Sequence, residues 1–243
     1  MNFGEAMNTV HLSDHPKTAD VITEVLQHIH RYRLTVLEAV EQLPVFTELR
    51  SQQVRRVLRK LERRALIAAA PLYRGETYWY LLPRGSQRLD LTDDRSGPLS
   101  EPAKIRAYAM LRFCCLSAQP CVRLTRHDIA TRLPEFDRPG LPAMYYFEAF
   151  GLGRLGIARV DAGHRGRWDR VVQTLREDID AHLRRPAWRR LIMAGRFEFT
   201  LLTVLPEKAD RIRESLAQHP DARRANVQVL ALPELLPLIT SQI

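Results

Sequence analysis

Residues 51–64 constrain this chain more than any other segment. Val54, Val57, Leu58 and Leu61 fall at i, i+3, i+4 and i+7, a single stripe of an α-helix, and most of the positions between them are cationic or polar. Between residues 50 and 64, Arg50, Arg55, Arg56, Arg59, Lys60, Arg63 and Arg64 are opposed by Glu62 alone. Such a helix needs a scaffold to bury its stripe and leaves its positive face outside. The flanks supply that scaffold. Residues 19–31 carry Val21, Ile22, Val25, Leu26 and Ile29 at helical spacing, with Thr18 expected as N-cap, and residues 35–42 predict a short helix ended by Leu43-Pro44. Ser51 is expected to cap the third helix. Residues 66–72 and 77–82 then read as strands, joined by Tyr73-Arg74-Gly75-Glu76, a tip of hairpin length.

Three helices followed by a two-stranded hairpin is the order of a winged helix-turn-helix, whose third helix is the element that enters a major groove. The first domain is placed at 1–92. It carries 13 basic and 10 acidic side chains, so the positive excess is concentrated on one helix. Gln52 and Gln53 at its start are placed to reach base edges, and Arg55, Arg56, Arg59 and Lys60 to reach phosphates or guanine, flanked by Arg50, Ser51 and Arg63. Arg74 at the wing tip suits a phosphate or minor-groove contact. A lone charged helix is more often a solvated face. Here charge focus, element order and hairpin agree. Tyr78-Trp79-Tyr80 is read as wing core rather than as a base-stacking platform.

Total charge points the same way with less force. Lys plus Arg is 37 against 28 for Asp plus Glu, a formal +9 over 243 residues, but only four of the 37 are lysines, as a general arginine bias would also give. The 45% apolar content excludes a disordered chain. No apolar run reaches the ~18 residues of a membrane span, and the polar N-terminus does not resemble a signal peptide. Cys114, Cys115 and Cys121 are an odd set in an apolar context, expected as reduced, buried thiols rather than a zinc site with His127. The expected address is cytoplasmic, nucleoid-associated in a bacterium, with no membrane partner.

The turn-rich stretch 93–102 is expected to be a linker and 103–243 an α/β domain, nuclease-like or for dimerisation. Helices are predicted at 104–117, 126–133, 168–184, 186–193, 207–218 and 234–239. Strands are predicted at 143–149, 155–161, 197–205 and 227–230, with a hairpin tip at Gly151-Leu152-Gly153. Arg159, Asp161, His164, Arg165 and Arg167 gather where a central strand ends, the usual place for ligands in α/β sheets. An Arg159–Asp161 ion pair is the structural alternative.

The run from Leu66-Ile67 through Tyr78-Trp79-Tyr80-Leu81-Leu82-Pro83-Arg84-Gly85 to Leu89 resembles the wing and following helix of winged-helix proteins, with Pro83 in place of the usual threonine. Together with the α/β half, the layout resembles the replication-relaxation family of plasmid and mobile-element proteins, which join a winged helix to a nuclease-like fold. The order of elements in the second half likewise resembles PD-(D/E)XK nuclease-like domains. That resemblance implies carboxylates holding Mg²⁺ and a lysine two residues after the last acid. Glu148 and Asp161 are the candidate acids, but the lysine position is not matched. Arg159-Val160-Asp161-Ala162-Gly163 has Arg159 where the family carries glutamate, so the domain is expected to be catalytically degenerate. The expected function is non-enzymatic, sequence-specific binding of double-stranded DNA by a homodimer, as a transcriptional regulator or mobile-element accessory factor, without metal or cofactor. The alternatives are a metal-dependent nuclease using Glu148 and Asp161, and a protein-interaction adaptor.

Overall fold

The computed structural model describes residues 21–91, 96–163, 168–220, 222 and 225–240, so the expected cap Thr18 lies outside the described residues. They form two compact units, 21–118 and 119–239. The first contains α1 (Val21–Tyr32), α2 (Leu37–Glu41), a 3-10 turn (Pro44–Phe46), α3 (Ser51–Arg63), β1 (Ile67–Pro71), β2 (Thr77–Leu81), α4 (Pro83–Arg88) and α5 (Glu101–Cys115). Its core joins Val25, Leu26 and Ile29 of α1 to Val54, Leu58 and Leu61 of α3, closed by Phe46, Ile67, Trp79 and Leu81. The backbone of Thr35 exchanges two 2.9 Å hydrogen bonds with Trp79, which adds a one-residue third strand to the hairpin.

The hairpin turns at Arg74 and Gly75, with φ of 39° and 85°. Two successive left-handed residues match the right-handed twist of the flanking strands, and the tip is closed by the Glu76 amide on the Tyr73 carbonyl at 2.6 Å and the Leu72 amide on the Glu76 carbonyl at 2.8 Å. Gly85 is fixed by crowding: a Cβ there would lie 2.2 Å from the carbonyl oxygen of Leu66. Only glycine lets α4 begin against the start of β1.

Helix α5 belongs to this first unit, so the division falls after residue 118 and not in the expected 93–102 segment. Its composition gives the reason. A helix apolar nearly all round must be covered on several faces, and α5 packs on α1 and α2. Arg112 donates to Glu38 at 2.8 Å, the hydroxyls of Tyr108 and Tyr73 lie 3.5 Å apart, and Lys104 stands 5.6 Å from the ring centre of Tyr78.

The second unit is a mixed sheet of five strands in the order β3-β4-β5-β6-β7. β3 (Val122–Arg123), β4 (Ala143–Ala149) and β5 (Leu152–Asp161) run antiparallel, while β6 (Phe197–Thr203) and β7 (Asn226–Ala231) continue parallel to β5. Helix α6 (Arg126–Arg132) follows β3. It starts with a reciprocal cap in which Thr125 Oγ1 accepts from the Asp128 amide and the Asp128 carboxylate accepts from the Thr125 amide. α7 (Trp168–Leu183) and α8 (Pro186–Met193) form the crossover from β5 to β6, and α9 (Pro206–Ala217) that from β6 to β7. A 3-10 turn (Pro233–Leu235) and α10 (Leu236–Thr240) follow. His182, Trp188, Phe197 and Phe199 interlock edge to face in the core. The β4–β5 hairpin turns at Phe150-Gly151, with φ of 55° and 70°, so Leu152 and Gly153 belong to β5 rather than to the tip. In β5, Gly156 is opposite Tyr145, whose ring occupies the space of a Cβ, 2.1 Å away.

Candidate nucleic-acid interface

Helix α3 buries Val54, Leu58 and Leu61 and half-buries Val57, which turns its other faces outward. Arg50, Ser51, Gln52, Gln53, Arg55, Arg56, Arg59, Lys60, Arg63 and Arg64 are all exposed. Among the described residues, no carboxylate lies within ion-pair distance of these cations. Glu62, the one acid of the helix, accepts a 3.0 Å hydrogen bond from the indole N–H of Trp79. That bond ties the acid to the hairpin and away from the arginine face. Arg74 is exposed at the hairpin tip.

Two details differ from expectation. The N-cap is Arg50, not Ser51, which is the first helical residue. The Gln53 side-chain oxygen accepts from the Arg50 amide at 2.8 Å. This closes the first turn through Gln53 and leaves the neighbouring Gln52 exposed. Trp79 and Tyr78 are buried and Tyr80 is half-buried, which places this aromatic run in the core of the unit. On α1, the ring nitrogen Nε2 of buried His28 lies 3.0 Å from the Thr35 hydroxyl. Burial, reinforced by the charge of Arg31, pushes the His28 pKa down to about 3.

The charged residues of the second unit are arranged differently. Arg159 and Asp161, two apart on one face of β5, each reach a helix instead of each other. Arg159 grips Asp178 of α7 through two hydrogen bonds, one at 2.7 Å from Nη2 and one from Nε. Asp161 pairs with Lys208 of α9 at 2.6 Å, with side chains 12% and 8% exposed. The Thr203 hydroxyl donates to the same carboxylate at 3.2 Å and the Gly163 amide at 3.1 Å, while Lys208 also donates to the Gly163 carbonyl. His164, Arg165 and Arg167 lie outside the described residues.

Glu148 and Asp161 do not form a metal pair. Glu148 is opposite Gly153, eight positions before Asp161 along β5, a separation of roughly 26 Å at ~3.3 Å per residue. Among the described residues, no three His, Cys, Asp or Glu side chains gather where they could share a metal ion. Cys114, Cys115 and Cys121 are free thiols, and burial pushes the Cys115 pKa up to about 12.

Sequence reasoning also missed a buried polar cluster. Tyr145 donates to Glu198 at 2.6 Å and its hydroxyl lies 2.5 Å from that of Thr200, while Asn226 donates to the other Glu198 oxygen at 3.1 Å. Burial, then the charge of Glu198, raises the Tyr145 pKa. Gly156 within a strand was the available signal, because an interior strand glycine marks a close approach.

No family model matches the chain, and no curated protein matches it. Among solved structures it is similar to the restriction endonuclease FokI, with 12% identity and a TM-score of 0.32 over 91% of this chain. The chain spans 44% of the length of that structure. A likeness this low establishes neither a shared fold nor a shared activity. No helix among the described residues is long and apolar enough to cross a membrane.

Proposed function

We propose that the chain is a non-enzymatic, sequence-specific binder of double-stranded DNA, with the first unit acting as a winged helix-turn-helix. The observation that carries this reading is the outer face of α3: five cations, Arg55, Arg56, Arg59, Lys60 and Arg63, exposed and met by no described carboxylate. In this reading α3 lies in the major groove, Gln52 meets base edges, the arginines hold phosphates or guanine, and Arg74 extends the contact from the wing. The one-residue strand at Thr35 and the hairpin give α3 a fixed backing, which favours a rigid probe over a solvated helix.

The biological role that suits these features is regulation of transcription, or an accessory role on mobile-element DNA. Two copies would read pseudo-palindromic half-sites. Double-stranded DNA binding measured across salt concentrations tests the proposal. Affinity should fall with a log–log slope of about −0.9 for each phosphate neutralised, and several contacts give a steep line. A flat line would leave α3 a solvated face or an adaptor surface for an acidic protein.

A further inference from the structure

A different cluster of guanidinium groups lies in the second unit, around α7 and the start of α8. Asp178 supplies its carboxylate, and Arg159 occupies both oxygens. The main-chain carbonyl of Asp178 accepts from His182 Nδ1 at 2.5 Å, which leaves Nε2 as the ring's acceptor. Arg138 Nη2 donates to that nitrogen at 3.1 Å. The Arg138 guanidinium carbon is also held 5.9 Å from the ring centre of Trp188, which is buried. Arg138 is therefore fixed in place by a neutral imidazole and an aromatic face, and its Nε is buried without a hydrogen-bond partner.

The backbone of Arg185 is anchored by its amide on the His182 carbonyl at 3.0 Å, and its side chain is exposed. Among the described residues, neither Arg138 nor Arg185 is paired with a carboxylate. The Arg138 pKa is lowered, first by burial and then by the charge of Arg185, with Arg159 adding to it against the pull of Asp178. Arg138 and Arg159 thus have Asp178 as the acid beside them, and the positive charge of Arg185 is added to theirs. A half-buried cation with an orphan donor is costly unless something else supplies the counter-charge.

We infer that Arg138, Arg159 and Arg185 form a receptor site for a phosphate group. Net charge favours phosphate over a carboxylate, whereas the guanidinium fork accommodates either. Three guanidinium groups against the one carboxylate of Asp178 leave a net positive charge that a phosphate monoester dianion balances and a single carboxylate does not. The phosphate can belong to a free phosphate-bearing molecule or to a nucleic-acid backbone, whose phosphodiesters carry one charge each and would balance the site as a neighbouring pair.

Thermal unfolding of the full chain in sodium phosphate against sodium chloride, at matched ionic strength and pH, tests the site. Phosphate at ten times its Kd should raise Tm by about 3–5 °C. Arg138→Met keeps the stem over Trp188 and should abolish the rise. Arg185→Met, at an exposed position where folding is not at stake, should remove at least half of it. A parent that shows no rise, or an Arg185→Met variant that keeps all of it, overturns the site. Duplex binding against salt then separates the sources. If the phosphate is DNA backbone, the salt slope of Arg185→Met is shallower than the parent's by about one. An unchanged slope together with a lost Tm rise assigns the site to a free phosphate-bearing molecule. A parent that shows the rise but does not bind duplex DNA removes the DNA-binding proposal and leaves this site standing.

Discussion

On α3, Arg55, Arg56, Arg59, Lys60 and Arg63 face outward and meet no described carboxylate, whereas at the end of β5 Asp161 is enclosed with Lys208 of α9, at 12% and 8% exposed, and the two pair with each other. The residue types are similar in the two places and their physical roles are opposite. An exposed guanidinium stays hydrated and acts at a distance on a polyanion. A carboxylate 12% exposed cannot remain charged cheaply without a cation against it, so Asp161 and Lys208 serve the fold. The presence of charge in a sequence therefore does not identify an interface. The depth of the charge and the presence of a partner separate a structural ion pair from a face left open to solvent.

The largest effect should come from breaking the internal side of this contrast. Lys208→Met leaves the enclosed Asp161 without its cation, and denaturant unfolding should show a loss of about 3–5 kcal/mol. A loss below about 1 kcal/mol would make the pair equivalent to a surface bridge and remove the difference between the two regions. The next effect concerns the scaffold behind α3. His28 is held neutral, with its pKa lowered from 6.5 to about 3, so the unfolded chain binds the proton that the folded one refuses. Its contribution is complete above pH 6.5 and falls as the pH drops toward 3, at up to ~1.4 kcal/mol per pH unit. His28→Gln should flatten that part of the pH–stability curve, and an unchanged curve would contradict the assignment. A smaller effect sharpens the boundary within α3 itself. Gln53→Ala removes the side-chain bond to the Arg50 amide and should cost about 0.5–1 kcal/mol by thermal unfolding. Gln52→Ala should leave stability within about 0.5 kcal/mol.

What the sequence made legible was local. The period of Val54, Val57, Leu58 and Leu61 predicts both the helix and its exposed face, and Gly75 with Arg74 marks the hairpin tip, because these signals lie within one or two turns of chain. The strands at 143–149 and 155–161 and the helices at 168–183 and 186–193 were readable for the same reason, but the register that sets Gly156 opposite Tyr145 was not, because the expected tip at Gly151-Leu152-Gly153 lies one to two residues beyond the observed one at Phe150-Gly151. What escaped depends on chain segments meeting across long separations. Lys208 reaches Asp161 from 47 residues away and Asp178 reaches Arg159 from 19, and no spacing rule encodes either pairing. Helix α5 was assigned to the wrong unit because an apolar helix announces that it needs cover, not which neighbours provide it. β3, with two residues, is too short to show a period.

The measurement that tests the central claim most directly pairs duplex binding with unfolding for the double variant Arg55→Ala, Arg56→Ala. If the outer face of α3 holds DNA, affinity should fall by at least tenfold and the salt slope should become shallower by about two, while stability stays within about 0.5 kcal/mol per site. A double variant that binds duplex DNA as tightly as the parent, with the same salt slope, would contradict the account.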